Sequence, residues 1–198
     1  GYDMPVQYPA GVMAEHLHTR AKAGLFDVSH MGQMRIRPRS GQVADAASAL
    51  EALVPADVVA LRPGRQRYAL FTTPDGGISD DLMVANMGDW LLLVVNAACK
   101  QADFAHVQKA LDQTCTVEML DGRALIALQG PAAEAALASL NPEAAGMRFM
   151  DVVELDLAGV ACIVSRSGYT GEDGYEIGMA DRDAVTVARA LLACPDIA

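Results

Sequence analysis

One segment decides the fold class of this chain: Leu82-Met83-Val84-Ala85-Asn86-Met87-Gly88-Asp89-Trp90-Leu91-Leu92-Leu93-Val94-Val95. Its two apolar runs, residues 82–87 and 90–95, are rich in residues that favour β-strands. The link Met87-Gly88-Asp89 between them is short enough to predict that the two strands form an antiparallel hairpin.

The rest of the chain is organised in the same way, with strands in pairs and a helix after each set. Alternating or continuous apolar runs predict further strands at 33–37, 66–72, 115–119, 124–128, 152–157, 160–165 and 175–179. The Asp121-Gly122 turn predicts that 115–119 and 124–128 form a pair. Apolar positions at helical spacing predict helices at 12–23, 40–53, 100–111, 132–140 and 183–192. This order favours an α+β fold with antiparallel sheets and packed helices over a doubly wound parallel sheet.

The composition excludes several classes of protein. The chain has 198 residues, 52% of them hydrophobic, which is too apolar for intrinsic disorder. Its 15 Lys and Arg against 25 Asp and Glu give a net charge of −10, which argues against a general binder of nucleic acid. No apolar run approaches the roughly 20 residues that cross a membrane. The four cysteines are scattered without metal-ligand spacing, so we expect no metal site.

The densest polar cluster, residues 73–81, runs directly into the apolar strand at 82–87. Gly76 and Gly77 allow a tight backbone path, and Asp80 and Asp81 stand where that path enters the strand. Because successive strand residues face opposite sides, one carboxylate should point towards the core and the other towards solvent. Two interpretations stay open: an acid placed for function, or an Asp-rich turn stabilised by its own hydrogen bonds.

A second cluster, residues 165–177, combines three glycines, two tyrosines and three acids in a loop that leads into a strand. The aromatic rings could flank a flat ligand, and Glu176 could accept hydrogen bonds from a heterocycle edge rich in N–H groups. A glycine-rich hairpin with exposed acids is the alternative. The spacing of the glycines does not match a dinucleotide-binding fingerprint.

Both clusters occur, in this order, in the aminomethyltransferase (T-protein) family of the glycine cleavage system, which the chain resembles over nearly its whole length. Six segments carry the resemblance in register: Asp3-Met4-Pro5-Val6-Gln7-Tyr8, Leu25-Phe26-Asp27-Val28-Ser29-His30-Met31-Gly32, Gly76-Gly77-Ile78-Ser79-Asp80-Asp81-Leu82, Val95-Asn96-Ala97, Ala127-Leu128-Gln129-Gly130-Pro131 and Gly168-Tyr169-Thr170-Gly171-Glu172-Asp173-Gly174-Tyr175-Glu176.

The resemblance implies transfer of an aminomethyl group from the lipoyl arm of the carrier H-protein to tetrahydrofolate. Ammonia would be released and 5,10-methylenetetrahydrofolate formed. Asp81 matches the family's catalytic carboxylate beside the folate nitrogens, and Glu176 matches the glutamate that grips the pterin. Tyr169 and Asn96 match further folate-binding positions. The charge balance, the length of the apolar runs and the scattered cysteines lead us to expect no nucleic-acid partner, no membrane and no metal.

The family fold combines α+β units and a β-barrel around a central folate channel. By this resemblance the chain would supply two ferredoxin-like layers: residues 1–54 with 130–198 as a discontinuous first domain, and 55–129 as the second. The C-terminal β-barrel and a pocket arginine would lie beyond Ala198, so we expect the chain alone to bind folate weakly and to be poorly active. The acidic composition with few lysines favours a bacterial cytoplasm, and a eukaryotic source would imply the mitochondrial matrix.

Two alternatives within the same superfamily remain. One is a folate-dependent demethylase of a methylated amine or sulfonium compound, which would form methyltetrahydrofolate instead. The other is a folate-binding protein that supports iron-sulfur cluster assembly without this transfer. Relatives of that kind carry a Cys in a Lys-Gly-Cys-Tyr-type motif, whereas this chain reads Ser167-Gly168-Tyr169-Thr170. The missing Cys and the paired aspartates favour the enzyme.

Overall fold

A computed structural model describes residues 2–198, and within that range it contains five α-helices and ten β-strands. Short 3-10 helices at Pro142–Gly146 and Asp181–Asp183 complete the regular structure. In chain order the main elements are α1 (Val12–Ala21), β1 (Gly24–Asp27), β2 (Gly32–Pro38), α2 (Val43–Glu51), β3 (Arg65–Thr72), β4 (Ile78–Asn86), β5 (Leu91–Val95), α3 (Lys100–Leu111), β6 (Cys115–Met119), β7 (Arg123–Gln129), α4 (Ala133–Leu140), β8 (Val152–Leu157), β9 (Val160–Ser165), β10 (Gly174–Ala180) and α5 (Ala184–Leu192).

The chain divides into two compact units. The first contains the described residues up to His30 together with Gly122–Ala198, and the second contains Met31–Asp121. This division differs from the predicted boundaries at 54/55 and 129/130. Strand β2 belongs to the second unit because it pairs with β5 and β6, and α2 packs on β2. Strand β7 belongs to the first unit because it pairs with β1 and β10.

The first unit is built on a five-stranded sheet of order β1-β7-β10-β9-β8, in which every neighbouring pair is antiparallel. Residues Ala124 to Gln129 of β7 are all buried, which explains why this strand reads as a continuous apolar run instead of an alternating one. Helices α4 and α5 pack against β10 and β7. Tyr175, Leu128 and Leu137 are among the fully buried side chains of this core.

The second unit has its own five-stranded antiparallel sheet, of order β3-β4-β5-β2-β6. Helices α2 and α3 pack on this sheet and on each other. The core contains Met34 and Ile36, the two side chains of β2 that the alternation predicted to face inward, and both are fully buried. Leu50 of α2 and Leu111 of α3 bury their side chains against the same cluster.

The predicted α+β class with antiparallel sheets and packed helices is confirmed. The hairpin between β4 and β5 is also confirmed, with the Met87 amide donating to the Trp90 carbonyl at 2.9 Å. The predicted pairing across Asp121-Gly122 is wrong, because β6 pairs with β2 while β7 lies in the other sheet. Strand β1 was not predicted, since its four residues do not alternate in burial. Helix α1 buries none of its residues.

Candidate functional site

The turn between β3 and β4 delivers Asp80 and Asp81 to the start of a buried strand. Thr73 closes this turn: its Oγ1 accepts a hydrogen bond from the Gly77 amide at 2.9 Å. Gly76 has φ 86°, a left-handed conformation that favours glycine. The hydrogen bonds that close the turn are therefore made by Thr73 and not by the two aspartates, which leaves their carboxylates available for other partners.

Asn96 joins the two carboxylates. Its Nδ2 donates to Oδ1 of Asp80 and to Oδ1 of Asp81, each at 2.9 Å, and lies 3.3 Å from the Asp81 carbonyl oxygen. The strand register explains this position, because Leu82 of β4 lies opposite Val95 of β5, and the residue after Val95 therefore meets the residue before Leu82. The structure thus brings together three residues that the sequence places in two separate segments.

The two aspartates differ in exposure, as the alternation of strand side chains predicted. Asp81 is exposed, whereas Asp80 is half-buried and its Oδ2 atom is buried without a hydrogen-bond partner. An exposed carboxylate whose orientation is fixed by an amide can accept a proton from a bound molecule or stabilise a positive charge on it. Asp81 is therefore the better placed of the two for chemistry.

Two more titratable groups lie next to Asp80. Asp103 of α3 is only 6% exposed, and its Oδ2 is also buried without a partner. Burial, followed by the interaction with Asp80, raises the pKa of Asp103 to about 7. The charge of Asp80 is the largest cause that raises the pKa of the Cys99 thiol, and burial and Asp103 add to it. Asp103 was not predicted as a site residue, although its spacing of four and eight residues from the buried Val107 and Leu111 places it on the same helix face.

Glu176 occupies the middle of β10, opposite Ser165 of β9 and Ala127 of β7. Ser167 donates a hydrogen bond from its Oγ to Oε2 of Glu176 at 2.7 Å, and the Ser165 and Ser167 hydroxyls are 2.9 Å apart. Burial raises the pKa of Glu176, and the hydrogen bond from Ser167 partly offsets this effect. The result is a half-buried carboxylate held in one orientation.

Gln129, at the end of β7, organises the glycine-rich loop that precedes Glu176. It is fully buried, and its Nε2 donates to the carbonyl oxygens of Ser167 at 2.9 Å and Tyr175 at 3.3 Å. Its Oε1 accepts a hydrogen bond from Thr170 Oγ1 at 2.8 Å. A Cβ on Gly168 would collide with the Gln129 side chain, so glycine is required there. The loop conformation therefore depends on one buried amide.

Arg166 holds the other side of the same loop. Its guanidinium forms ion pairs with Glu134 at 2.6 Å and Asp173 at 2.5 Å, and it donates to the Met147 carbonyl at 2.7 Å. The guanidinium also lies 5.4 Å from the centre of the Tyr175 ring. The hydrogen bond to Asp173 is the largest cause that raises the pKa of Arg166 above its ordinary value.

The predicted site residues fall into two groups. Asp81 and Asn96 contact each other in the second unit. Glu176 and Tyr169 lie in the first unit, where Tyr169 is 67% exposed on the glycine-rich loop. That all four residues bind one ligand stays a prediction.

Within residues 2–198 no three His, Cys, Asp or Glu side chains cluster in a way that could hold a metal ion. None of the helices in the described part of the chain is long and apolar enough to span a bilayer.

Comparison with known proteins gives one consistent result. The family model described as "GCVT N-terminal domain" matches residues 1–196. The mitochondrial aminomethyltransferase of Dictyostelium discoideum is 43% identical, over 98% of this chain and 49% of that protein. The aminomethyltransferase of Geobacillus kaustophilus (strain HTA426) is 42% identical, over 98% of this chain and 52% of that protein. The chain thus spans about half the length of the curated relatives it matches.

A solved structure agrees with these relatives. The glycine cleavage system aminomethyltransferase T from Bartonella henselae superposes with a TM-score of 0.89 at 38% identity, covering 98% of this chain and 52% of that one. These matches confirm the resemblance that the six sequence segments indicated. The chain therefore belongs to the family of the GCVT N-terminal domain.

Proposed function

We propose that this chain is part of an aminomethyltransferase of the glycine cleavage system. The enzyme would move an aminomethyl group from the lipoyl arm of the H-protein to tetrahydrofolate, releasing ammonia and forming 5,10-methylenetetrahydrofolate. The observation that carries this proposal is the Asn96 amide, which holds the carboxylates of Asp80 and Asp81 at 2.9 Å each. All three residues lie in segments that match the family motifs.

Asp81 is assigned the catalytic role. In the overall reaction two N–H bonds of the folate are lost, and their protons leave on ammonia and on the freed thiol. An exposed carboxylate oriented by Asn96 can accept such a proton and stabilise the positive charge that develops on the one-carbon unit. Hydrogen bonding by the amide fixes the direction in which the free carboxylate oxygen points, which limits the rearrangement needed during reaction.

Glu176 is assigned to folate binding. Its carboxylate is half-buried and is held by the Ser167 hydroxyl, which leaves acceptor capacity for N–H groups of a heterocycle. Tyr169 on the adjacent loop exposes a ring that could stack on a flat ligand. Both assignments rest on the match to the family motif and on the chemistry of these side chains.

The test is Asp81→Asn in the full-length gene product, assayed with lipoylated H-protein carrying the aminomethyl group. We expect folate binding to be retained and the release of ammonia to be lost. Asp75→Asn is the matched control, because Asp75 is an exposed aspartate in the turn that precedes the same strand. Unchanged turnover in Asp81→Asn would refute the catalytic role. In a separate assay, formation of methyltetrahydrofolate from a methylated amine or sulfonium compound would indicate a demethylase instead.

The compartment is part of the same proposal. The relatives include mitochondrial enzymes of eukaryotes and enzymes of bacteria. We infer a bacterial cytoplasmic enzyme from the acidic, lysine-poor composition. Fractionation of the source cells, with immunodetection of the protein, would decide the point.

A further inference from the structure

Asp80, which accepts a hydrogen bond from Asn96, and the nearby Asp103 each bury one carboxyl oxygen. Oδ2 of Asp80 and Oδ2 of Asp103 are both buried, and neither has a hydrogen-bond donor. Asp103 is more than nine-tenths buried, and its side chain interacts with that of Asp80. Two neighbouring carboxyl groups, each with an oxygen buried away from water, are costly if both are ionised. One proton between them would turn the repulsion into a hydrogen bond.

We propose that Asp103 and Asp80 share one proton, and that Asp103 thereby acts as a positioning residue for the catalytic Asp81. In this arrangement Asp103 holds the proton and donates it to Asp80, which keeps the negative charge. The other oxygen of Asp80 then accepts the hydrogen bond from Asn96, and the second N–H of Asn96 holds Asp81. The inference rests on the proposed function only for the role of Asp81.

The surroundings support one shared proton. The titratable groups that act here are Asp80 and Asp81 from β4 and Cys99 at the start of α3. None of these three groups is a cation. The negative charge of Asp80 is also the largest cause that raises the pKa of the Cys99 thiol. Burial and Asp80 raise the pKa of Asp103 in the same direction.

Loss of the shared proton should therefore disturb Asp81. When the pair ionises fully, Asp80 and Asp103 repel, and Asp80 can no longer stay in its place against Asn96. Asn96 then loses the acceptor that fixes one of its two N–H groups. The orientation of Asp81 becomes less defined, and a displacement of the order of 1 Å can cost about 100-fold in rate.

The first experiment is independent of any activity. The carboxyl carbons of the aspartates and the side-chain amide of Asn96 are followed by NMR in the isotopically labelled chain as pH is raised. We expect Asp103 to titrate near pH 7 instead of near its ordinary 3.8, with the Asn96 amide shifting at the same midpoint. A midpoint near 3.8, or an Asn96 amide that does not follow Asp103, would overturn the proposal.

The second experiment uses variants of the full-length gene product. Asp103→Asn keeps the shape and donates a fixed N–H to Asp80, so it should retain turnover within a few-fold and lose the decline of activity at high pH. Asp103→Leu supplies no donor and should lower kcat by about 100-fold while leaving folate binding in place. Asp112→Asn, an exposed aspartate just after α3, is the matched control.

The outcomes separate the two proposals. If Asp103 titrates as expected but the wild-type protein transfers no aminomethyl group, the shared proton stands and the proposed function fails. If transfer is observed and Asp103→Asn keeps the wild-type pH profile, the proposed function stands and the positioning role fails. If Asp103→Leu does not fold, the NMR titration of the wild-type chain still decides whether the proton is shared.

Discussion

Replacement of Gln129 by Glu tests the role of the buried amide that organises the glycine-rich loop. The substitution preserves the size and shape of the side chain but removes the two N–H groups that donate to the carbonyls of Ser167 and Tyr175. The oxygen that accepts from Thr170 is kept. Because the site is fully buried and faces two carbonyl oxygens, we expect a glutamate there to enter the folded state in its neutral form.

The cost follows from two contributions. The new glutamate has an ordinary pKa of about 4.3, and each pKa unit corresponds to about 1.36 kcal/mol. Protonating it at pH 7 therefore costs about 3.7 kcal/mol. The neutral acid restores one of the two donated hydrogen bonds, and the carbonyl left without a donor adds about 1 kcal/mol. Gln129→Glu should therefore lower the free energy of unfolding by about 5 kcal/mol at pH 7 and by about 2 kcal/mol at pH 5.

The measurement is urea unfolding of the wild-type chain and the variant at pH 5 and pH 7, followed by circular dichroism. Gln108→Glu, on the exposed side of α3, is the control and should change stability by less than about 0.5 kcal/mol at either pH. A loss of stability that is equal at the two pH values would refute the reasoning. A variant unfolded at pH 7 that does not recover structure at pH 5 would refute it as well.

Three further predictions concern stability and use the same unfolding assay. The raised pKa of Asp103 contributes stability that is complete below pH 3.8 and is lost as pH rises through about 7, with a slope of at most about 1.4 kcal/mol per pH unit. Asp103→Asn should flatten this decline of stability with pH, and an unchanged slope in the variant would contradict the prediction. Arg166→Met should lower the free energy of unfolding by about 2 kcal/mol, because two acids and a carbonyl lose their donor. Arg148→Met on the surface is the control and should change it by almost nothing, so equal effects of the two substitutions would argue against the Arg166 network. Tyr175→Phe should cost about 1 to 2 kcal/mol, because the buried carbonyl of Ala144 loses the donor that now lies 3.0 Å away; a neutral result would mean that water replaces the hydroxyl.

Local patterns predicted most of the secondary structure but not all of the strand pairing. The hairpin of β4 and β5 follows from two apolar runs and a link of three residues, both of which are local. The pairing of β6 with β2 brings together residues about 80 positions apart, as in Ile36 opposite Val117, and no local signal encodes it. The Asp121-Gly122 turn therefore indicated a hairpin that the sheets do not form. Strand β1 was missed because it is short and lacks an alternating pattern.

The candidate site was predictable to a similar degree. The roles of Asp81 and Asn96 stay predictions, whereas the alternation along β4 gave the correct difference in exposure between Asp80 and Asp81. Their contact through one amide could not be predicted, because it depends on the register of β4 against β5. Asp103 could have been found, since a helical spacing places it on the buried face with Val107. What the sequence could not show is that this acid meets Asp80.

The second unit begins with strand β2 and ends with strand β6, and this arrangement has a consequence for engineering. These strands are antiparallel neighbours, with Met34 opposite Met119, so the two ends of that unit lie side by side. In the first unit, Asp27 of β1 likewise lies opposite Ile126 of β7, and the Val28 amide donates to the Leu125 carbonyl. In each unit, the two chain ends created by separating the units therefore lie next to each other on antiparallel strands. A tight turn could join them. Either unit could therefore be cloned separately without a long artificial linker.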